Sequence, residues 1–211
     1  MNQKIVITIN REHGSGGRKI GQLLAESLGI EYYDKDLINM AVERSGINAD
    51  LFSAMDEKVK SGFFAATREN IYRGDLYPPT SKEYTSDENL FNIQADLIKR
   101  LAADEPCVIV GRCADFILKD SPNVVSVFIH APKSYLMDTM RKKKSLSEDD
   151  LWRHIEKVNR ERGIYYKYHT GLVWADAHHY DICMDASKLD FGKFVDIIKG
   201  YMKVRFDGLE F

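Results

Sequence analysis

The sequence has few of the residues that would indicate a disulfide framework, a structural metal site or a membrane anchor. It contains three cysteines, Cys107, Cys113 and Cys183, an odd number without C-x-x-C spacing, which argues against paired disulfides and zinc knuckles. No apolar run approaches the roughly 18 residues of a membrane-spanning helix, and the N-terminus is a strand-like run rather than a signal peptide. We therefore expect a chain of the reducing cytoplasm, without a membrane partner.

Neither sign of charge is in excess. The 30 lysines and arginines nearly balance the 32 aspartates and glutamates and leave a formal charge of -2. A strongly basic field is the usual mark of a nucleic-acid-binding protein, so we expect no nucleic acid polymer as a partner. What the sequence does have is 211 residues, 44% of them hydrophobic, which is enough to bury the core of one globular domain.

Short apolar runs alternate with helical patterns along the chain. Residues 5–9 form a β-branched run typical of a strand buried on both faces, and after a glycine-rich turn an apolar helical repeat ends at Gly29. The pattern recurs at three further strands and a final amphipathic helix, at residues 107–110, 124–129, 181–185 and 191–204. Strands separated by helices predict an α/β fold with a parallel sheet covered by helices.

Two segments break this alternation. Residues 46–85 carry scattered aromatic side chains, among them Phe63 and Phe64, and we expect an irregular or short-helical insertion there. Ser86, which follows the segment, is suited to cap a helix with an apolar stripe. Residues 138–170 are rich in charge, with a basic run followed by an acidic helix start.

The first turn is the strongest candidate for a ligand site. Glycines between a buried strand and a helix let backbone N–H groups point at an anion, and the helix N-terminus adds partial positive charge. Two neighbouring side chains, Arg18 and Lys19, add full positive charges. We expect a nucleotide's phosphate chain to bind at the turn and its flanks, at His13, Gly14, Ser15, Gly16, Gly17, Arg18, Lys19 and Ile20. A glycine turn that binds no ligand is the alternative.

The turn departs from the usual nucleotide-binding pattern G-x-x-x-x-G-K-[ST]. With Gly17 as its second glycine, the first glycine becomes Glu12. The lysine and the hydroxyl residue become Arg18 and Lys19. An arginine can replace the charge of the lysine but not its geometry. The hydroxyl normally binds magnesium, and Ser15 is the residue that could partly compensate for its loss.

In their order and spacing, five segments resemble the cytidylate-kinase-like branch of the nucleoside monophosphate kinases. They are ITINREHGSGGRKIGQLLAESLG, YYDKDLI, VIVGRCADFIL, VSVFIHAP and YDICMDASKL. The resemblance implies a single domain with the three-layer α/β/α P-loop kinase fold, which has a central parallel sheet, a helical monophosphate-binding insertion and a lid. It would place the core at about residues 1–30, 105–137 and 178–211, the insertion at about 31–104 and the lid at about 138–177.

The resemblance also implies an activity, which is the Mg²⁺-dependent transfer of a phosphoryl group from ATP to a nucleoside monophosphate, most simply CMP or dCMP. Because both reactants are polyanions, such an enzyme needs several arginines from different directions. The arginines expected to act in catalysis are Arg18, Arg112, Arg141, Arg160 and Arg162. Asp185 and Ser187 are expected near the donor nucleotide, and the residues expected near the acceptor are Asp34, Gln94, Gly111 and Arg112.

Other interpretations of these residues stay open. Cys113 replaces an aspartate of the kinases that the chain resembles, and the first turn lacks the lysine and hydroxyl of the usual pattern. A nucleotide-binding module without catalysis, or a kinase of another small metabolite, is therefore also compatible with the sequence. Asp34 could simply cap the helix that follows it, Arg141 could belong to a solvated helix face, and Gln94 could be an ordinary polar residue of a helix.

Overall fold

A computed structural model describes residues 3–55 and 71–211. Over these residues the strands are β1 Val6–Arg11, β2 Glu31–Tyr33, β3 Cys107–Val110, β4 Val124–His130 and β5 Ile182–Asp185. They form a five-stranded sheet in the order β2-β3-β1-β4-β5, and each neighbouring pair is parallel. The β-branched runs of the sequence thus become the strands that the sequence predicts.

Helices connect the strands and cover both faces of the sheet. They are α1 Gly17–Leu28, α2 Asp36–Ser45, α3 Ala49–Met55, α4 Asp87–Asp104, α5 Ala114–Ile117, α6 Lys133–Arg141, α7 Glu148–Thr170 and α8 Phe191–Arg205. Gly29 ends α1 with a φ of +61°, and the side chain of Ser86 caps α4 by accepting a hydrogen bond from a backbone N–H, as expected for both residues. None of the helices in the described part is long and apolar enough to cross a membrane.

The side chains of β1 show how the three layers form. All six residues of the strand are buried. Ile7 and Ile9 pack into one hydrophobic cluster with Leu24 of α1, whereas Val6 packs into a second cluster with Ile98 of α4 on the opposite face. Because side chains alternate along a strand, a continuous apolar run serves both faces. The predicted α/β fold with a central parallel sheet is therefore confirmed.

Two local features differ from the expectation. β2 has no counterpart in the sequence prediction, because three partly exposed residues at the edge of the sheet show no hydrophobic period. Asp34 does not cap the next helix, since α2 begins at Asp36 and has no side-chain cap. In the segment 46–85, the described part contains the short α3 and one 3₁₀ turn, as expected, while Phe63 and Phe64 lie outside the described residues.

The parallel register brings the functional segments to one edge of the sheet. Ile9 of β1 pairs with Val110 of β3 on one side and with Val127 of β4 on the other. The loops that follow these three strands therefore leave the sheet at the same edge, the one after β3 two residues earlier than the one after β1. In open α/β sheets, ligands bind outside the carboxyl ends of the strands, where the strand order reverses. Here that position is the end of β1.

Candidate active site

The loop between β1 and α1 is shaped by glycines. Gly14 and Gly16 have φ of +94° and +85°, in a region that glycine reaches at little cost. A Cβ atom on Gly16 would lie 2.6 Å from the ring of Phe191, and one on Gly17 would lie 2.5 Å from Cβ of Arg11. Both the backbone angles and the lack of space therefore require glycine in this loop.

The same loop leaves the first turn of α1 open. Gly16 occupies the N-cap position and provides no side chain to accept a hydrogen bond from the first N–H groups of the helix. Ser15 does not take this place, because it is fully buried and its hydroxyl donates to the carbonyl oxygen of Glu12 at 2.9 Å. An anion at this helix end would meet open N–H groups and the positive end of the helix dipole.

His13 anchors the loop to α7. Its backbone N–H donates to the side-chain oxygen of Asn159 at 2.7 Å. Burial and the nearby Arg162 guanidinium lower the pKa of His13 to about 4, so its imidazole is neutral near pH 7. Its Nε2 atom is buried and has no hydrogen-bond partner among the described residues. His13 can therefore offer a ligand a neutral donor or acceptor but not a charge.

A cavity of about 740 Å³ opens above the loop. Its walls come from the loop, the start of α1, α6 with the residues after it, α7, and the first residue of α8. The charged side chains of this lining are mostly cationic, namely those of Arg11, Arg18, Lys19, Lys142, Lys143 and Arg162, and the carboxylate among them is that of Glu12. The size and charge of the cavity suit a polyanion such as the phosphate chain of a nucleotide.

Arg18 connects this cavity to Asp34. Its Nε lies 2.7 Å from one carboxylate oxygen of Asp34, and its Nη2 donates to the other oxygen at 3.2 Å. The carboxylate is largely buried and also lies 3.9 Å from Nη2 of Arg11. The structure thus brings together one residue expected at the donor and one expected at the acceptor.

Arg112 follows β3 in a turn of rare backbone geometry. Gly111, Arg112 and Cys113 have φ of +76°, +58° and +55°, which is costly for residues that carry a Cβ atom. The side chain of Arg112 is 2% exposed, and it borders a small cavity together with Arg162 and Asn10. The arginine expected at the acceptor therefore lies at the carboxyl edge of the sheet, beside Arg162, which also lines the large cavity above the glycine loop.

The other expected arginines differ in their placement. Arg162 is buried in the cavity wall, where its Nη1 donates to the carbonyl oxygen of Arg11 at 2.9 Å. Arg141, at the end of α6, is half exposed and lies 2.7 and 2.6 Å from two carboxylates of α6 and α7. Arg160 is exposed. Of these three arginines, Arg162 alone borders the cavity.

Four further expected residues lie outside the cavity lining. Ile20 is buried in the core, and its backbone N–H donates to the carbonyl oxygen of Gly16 at 3.1 Å. Asp185 and Ser187 form a turn after β5, in which the Ser187 N–H donates to the Asp185 carboxylate at 2.9 Å. Gln94 is buried on α4, and its side-chain oxygen has no hydrogen-bond partner in the described part of the chain.

Two lysines of the cavity were not among the residues expected from the sequence. Lys142 and Lys143 line the cavity, whereas Arg141, in the same basic run, does not. The spacing of Tyr135, Thr139 and Lys142, which all line the cavity, is that of one helix face. This periodicity is the signal that distinguishes Lys142 from the neighbouring arginine.

The described residues do not form a metal centre by themselves. They contain no group of three or more His, Cys, Asp or Glu side chains that could hold a metal ion. The hydroxyl of Ser15 is engaged with the loop backbone, and the carboxylate of Glu12 accepts from the N–H of Ala131 at 2.9 Å. The residues therefore do not fit a magnesium ion bound directly by the loop, and oxygen ligands for such an ion would come mainly from a nucleotide.

Solved structures support the fold. An uncharacterized protein from Eubacterium ventriosum ATCC 27560 matches with a TM-score of 0.68 and 26% identity, over 94% of this chain and 98% of that one. A shikimate kinase from Bacteroides thetaiotaomicron matches with a TM-score of 0.55 and 14% identity, also over 94% of this chain and 98% of that one. The parallel sheet with its flanking helices is therefore a P-loop kinase fold.

Sequence comparison supports the family. A cytidylate kinase from Methanosarcina barkeri (strain Fusaro / DSM 804) is 27% identical over 197 residues, which are 92% of this chain and 93% of that protein. The model of the cytidylate kinase-like family matches residues 6–188, from the start of β1 to the turn after β5. This range contains the glycine loop, the turn at Gly111 and the lysines of the cavity. The chain therefore belongs to the cytidylate kinase-like family.

Proposed function

We propose that this protein transfers a phosphoryl group from ATP to a nucleoside monophosphate, most simply CMP or dCMP. The observation that carries the proposal is the cavity of about 740 Å³ above the glycine loop, where an open helix N-terminus faces a cationic lining. A triphosphate has the charge and length to use both features. Membership of a kinase-like family supports phosphoryl transfer, and the matching cytidylate kinase supports the choice of acceptor.

In this proposal the donor phosphates lie along residues 13–19. Backbone N–H groups of the loop bind the phosphate oxygens, and Arg18 and Arg162 neutralise charge from two directions. Lys142 and Lys143, which line the cavity after α6, add further charge. Phosphoryl transfer needs alignment and charge neutralisation more than covalent help, and loss of one transition-state contact commonly costs about 10²–10³ in rate. A magnesium ion carried by ATP would neutralise further phosphate charge.

The acceptor lies beyond the Arg18–Asp34 pair, at the ends of β2 and β3. Arg112 binds the acceptor phosphate, with the backbone of Gly111 beside it, and Asp34 and Gln94 contact the rest of the nucleotide. Asp185 and Ser187 contact the donor nucleotide after β5. Arg141 and Arg160 are exposed on the segment 138–177, so they would reach the phosphates only when this lid closes over the ligands and excludes water.

A non-catalytic nucleotide-binding module is the second candidate, and one observation favours it. Arg18, in the position of the usual lysine, is already bound by Asp34, and Ser15 is turned away from the cavity. The two candidates differ in turnover and in the role of magnesium. A binding module predicts a rise in melting temperature with ATP that does not depend on magnesium.

A coupled assay decides between the two candidates. It combines purified protein, ATP and Mg²⁺ with a panel of nucleoside monophosphates, and it follows ADP formation. We expect ADP formation that requires the acceptor, fastest with CMP or dCMP. A folded protein that ATP stabilises, but that turns over none of the acceptors, would contradict the kinase and support the binding module.

A further inference from the structure

A buried polar cluster lies behind the turn that carries the acceptor arginine. Its centre is Asp115, in α5, which is 7% exposed. One carboxylate oxygen accepts from Nδ2 of Asn10 at 2.8 Å, and the other accepts from the hydroxyl of Tyr166 at 2.6 Å. The same Asn10 amide donates to the hydroxyl of Tyr180 at 3.2 Å, and this hydroxyl donates to the carbonyl oxygen of Trp174 at 2.6 Å. Strand β1, α5 and α7 therefore meet at one carboxylate.

Burying the carboxylate of Asp115 at this position costs desolvation free energy. Burial raises the pKa of Asp115, while the hydrogen bonds from Tyr166 and Asn10 act in the opposite direction. Its neighbours Ala114 and Ile117 are buried and apolar. An apolar residue at position 115 would avoid the desolvation cost, so the polar cluster favours a geometric role over a purely stabilising one.

The backbone immediately before Asp115 indicates what that role is. Residues 111–113 are all left-handed, and such strain persists only where surrounding contacts hold it. At the start of the turn, the N–H of Gly111 donates to the carbonyl oxygen of Ile9 at 3.0 Å. At its end, Asp115 binds the side chain of Asn10, the next residue of the same strand. Both ends of the strained turn are thus fastened to β1.

We propose that Asp115 is a positioning residue that holds Arg112 at the acceptor site, and that Tyr166 couples this position to α7. The proposal rests on the proposed function, in which Arg112 binds the acceptor phosphate. Asp115 does not line the donor cavity and acts only through the turn. Arg162 lies four residues before Tyr166 on the same helix face and lines the donor cavity. One helix therefore contacts the donor site and supports the acceptor turn.

The test compares two variants of the cluster with a matched control. Asp115→Asn and Tyr166→Phe alter the central hydrogen bonds, whereas Tyr201→Phe removes a tyrosine hydroxyl that donates to the carboxylate of Asp181 at 3.3 Å, outside the site. Titration calorimetry measures the affinities for CMP and for ATP separately. We expect Asp115→Asn to weaken CMP binding by about tenfold, Tyr166→Phe to weaken it less, and ATP affinity to change by less than about twofold in both. The control should change neither.

This split between the two ligands distinguishes positioning from general damage. Equal losses of CMP and ATP affinity, accompanied by a lower melting temperature, would overturn the proposal. An unchanged CMP affinity in Asp115→Asn would overturn it as well.

Hydrogen exchange separates this inference from the proposed function. If the wild type neither binds nor phosphorylates any monophosphate, the proposed function fails, but the state of the turn can still be measured. The N–H groups of Ala114 and Ile117 donate to the carbonyl oxygens of Gly111 and Cys113 at 3.1 and 2.9 Å. Asp115→Asn should speed exchange at these two amides about tenfold or more relative to the amides of β3. Unchanged protection would overturn the role of Asp115 whatever the substrate is.

Discussion

The carboxylate of Asp34 lies 2.7 Å from Nε of Arg18 and so holds the cationic side chain that replaces the usual lysine of a phosphate-binding loop. Arg18 remains 43% exposed in its side chain and lines the cavity above the glycine loop. A long flexible side chain loses less entropy on binding a ligand when a partner already restricts it. The position of Arg18, which we propose binds the donor, therefore depends on Asp34, which follows β2 and which we propose contacts the acceptor.

Replacing Arg18 should weaken donor binding more than acceptor binding. We expect Arg18→Ala to weaken ATP binding by about tenfold or more, because a charge-assisted contact to phosphate is lost. CMP binding should weaken less, because Arg11 stays beside the carboxylate of Asp34 at 3.9 Å. Arg18→Lys keeps the charge but loses the two-point contact with Asp34. Its ATP affinity should therefore lie between those of the wild type and Arg18→Ala. Calorimetry with each ligand measures both effects. Wild-type ATP affinity in Arg18→Ala would remove this arginine from the donor site.

Replacing Arg112 should give the opposite pattern. We expect Arg112→Ala to weaken CMP binding by about tenfold or more and to spare ATP. Because this side chain is 2% exposed, melting temperatures must accompany the affinities, and Arg112→Lys serves as a milder variant that keeps the charge. Loss of ATP affinity with intact CMP affinity would show that the donor and acceptor assignments are reversed.

The sequence predicts the strands and helices of this protein better than the directions of its side chains. The runs that become β1, β3 and β4, and the cap at Ser86, are local signals that the structure confirms. The edge strand β2 is only three residues long and shows no such signal. The pairing of Arg18 with Asp34 depends on where the fold places β2, which no local pattern encodes.

The basic run at the end of α6 also shows that a local pattern does not fix the direction of a side chain. The three residues of this run are all basic, namely Arg141, Lys142 and Lys143. The rotation of the chain at the helix end decides which of their side chains face the cavity. A family resemblance directs attention to the arginine, whereas the helical spacing from Thr139 selects the lysine at 142. The roles given to all of these residues stay predictions until they are measured.

The two lysines should therefore matter more than the arginine. We expect the double variant Lys142→Ala, Lys143→Ala to weaken ATP binding by about tenfold and to reduce its dependence on salt, because two charges facing the phosphates are removed. Arg141→Ala should change ATP affinity by less than about twofold, since this half-exposed guanidinium is bound by two carboxylates. ATP titrations at low and high salt measure both. A larger effect of Arg141→Ala would show that the lid already closes over ATP when no acceptor is bound.

A methyl group at Gly16 tests the shape of the loop. Gly16→Ala introduces both a left-handed alanine and a contact of 2.6 Å with the ring of Phe191, whereas Gly29→Ala has a φ of +61° and no atom within 4 Å. The control therefore carries only the backbone cost, about 1–2 kcal/mol. We expect Gly16→Ala to lower the free energy of unfolding by about 1–3 kcal/mol more than the control and to weaken ATP binding. Urea titration measures the difference. Equal losses of unfolding free energy in Gly16→Ala and Gly29→Ala would mean that the ring of Phe191 moves aside at little cost.

His169 should make the fold sensitive to acid. It is 2% exposed and stacks on Phe91 with ring centroids 3.8 Å apart, and burial lowers its pKa to about 3 from an ordinary value of 6.5. Below pH 6.5 His169 is protonated in the unfolded chain, whereas in the folded chain it stays neutral down to about pH 3. The stability that comes from burying the neutral imidazole is therefore fully present above pH 6.5. It falls by about 1.4 kcal/mol per pH unit as the pH is lowered through that window.

His169→Phe keeps an aromatic ring against Phe91 and removes the titrating group. Urea titrations between about pH 7 and pH 4 should show a smaller loss of unfolding free energy for the variant than for the wild type. His13, whose pKa is lowered to about 4, acts with the same sign, so the variant should retain part of the acid sensitivity. Parallel stability curves for the two proteins would show that the imidazole of His169 gains its proton as easily in the folded chain as in the unfolded one, and the buried stack on Phe91 would then be wrong.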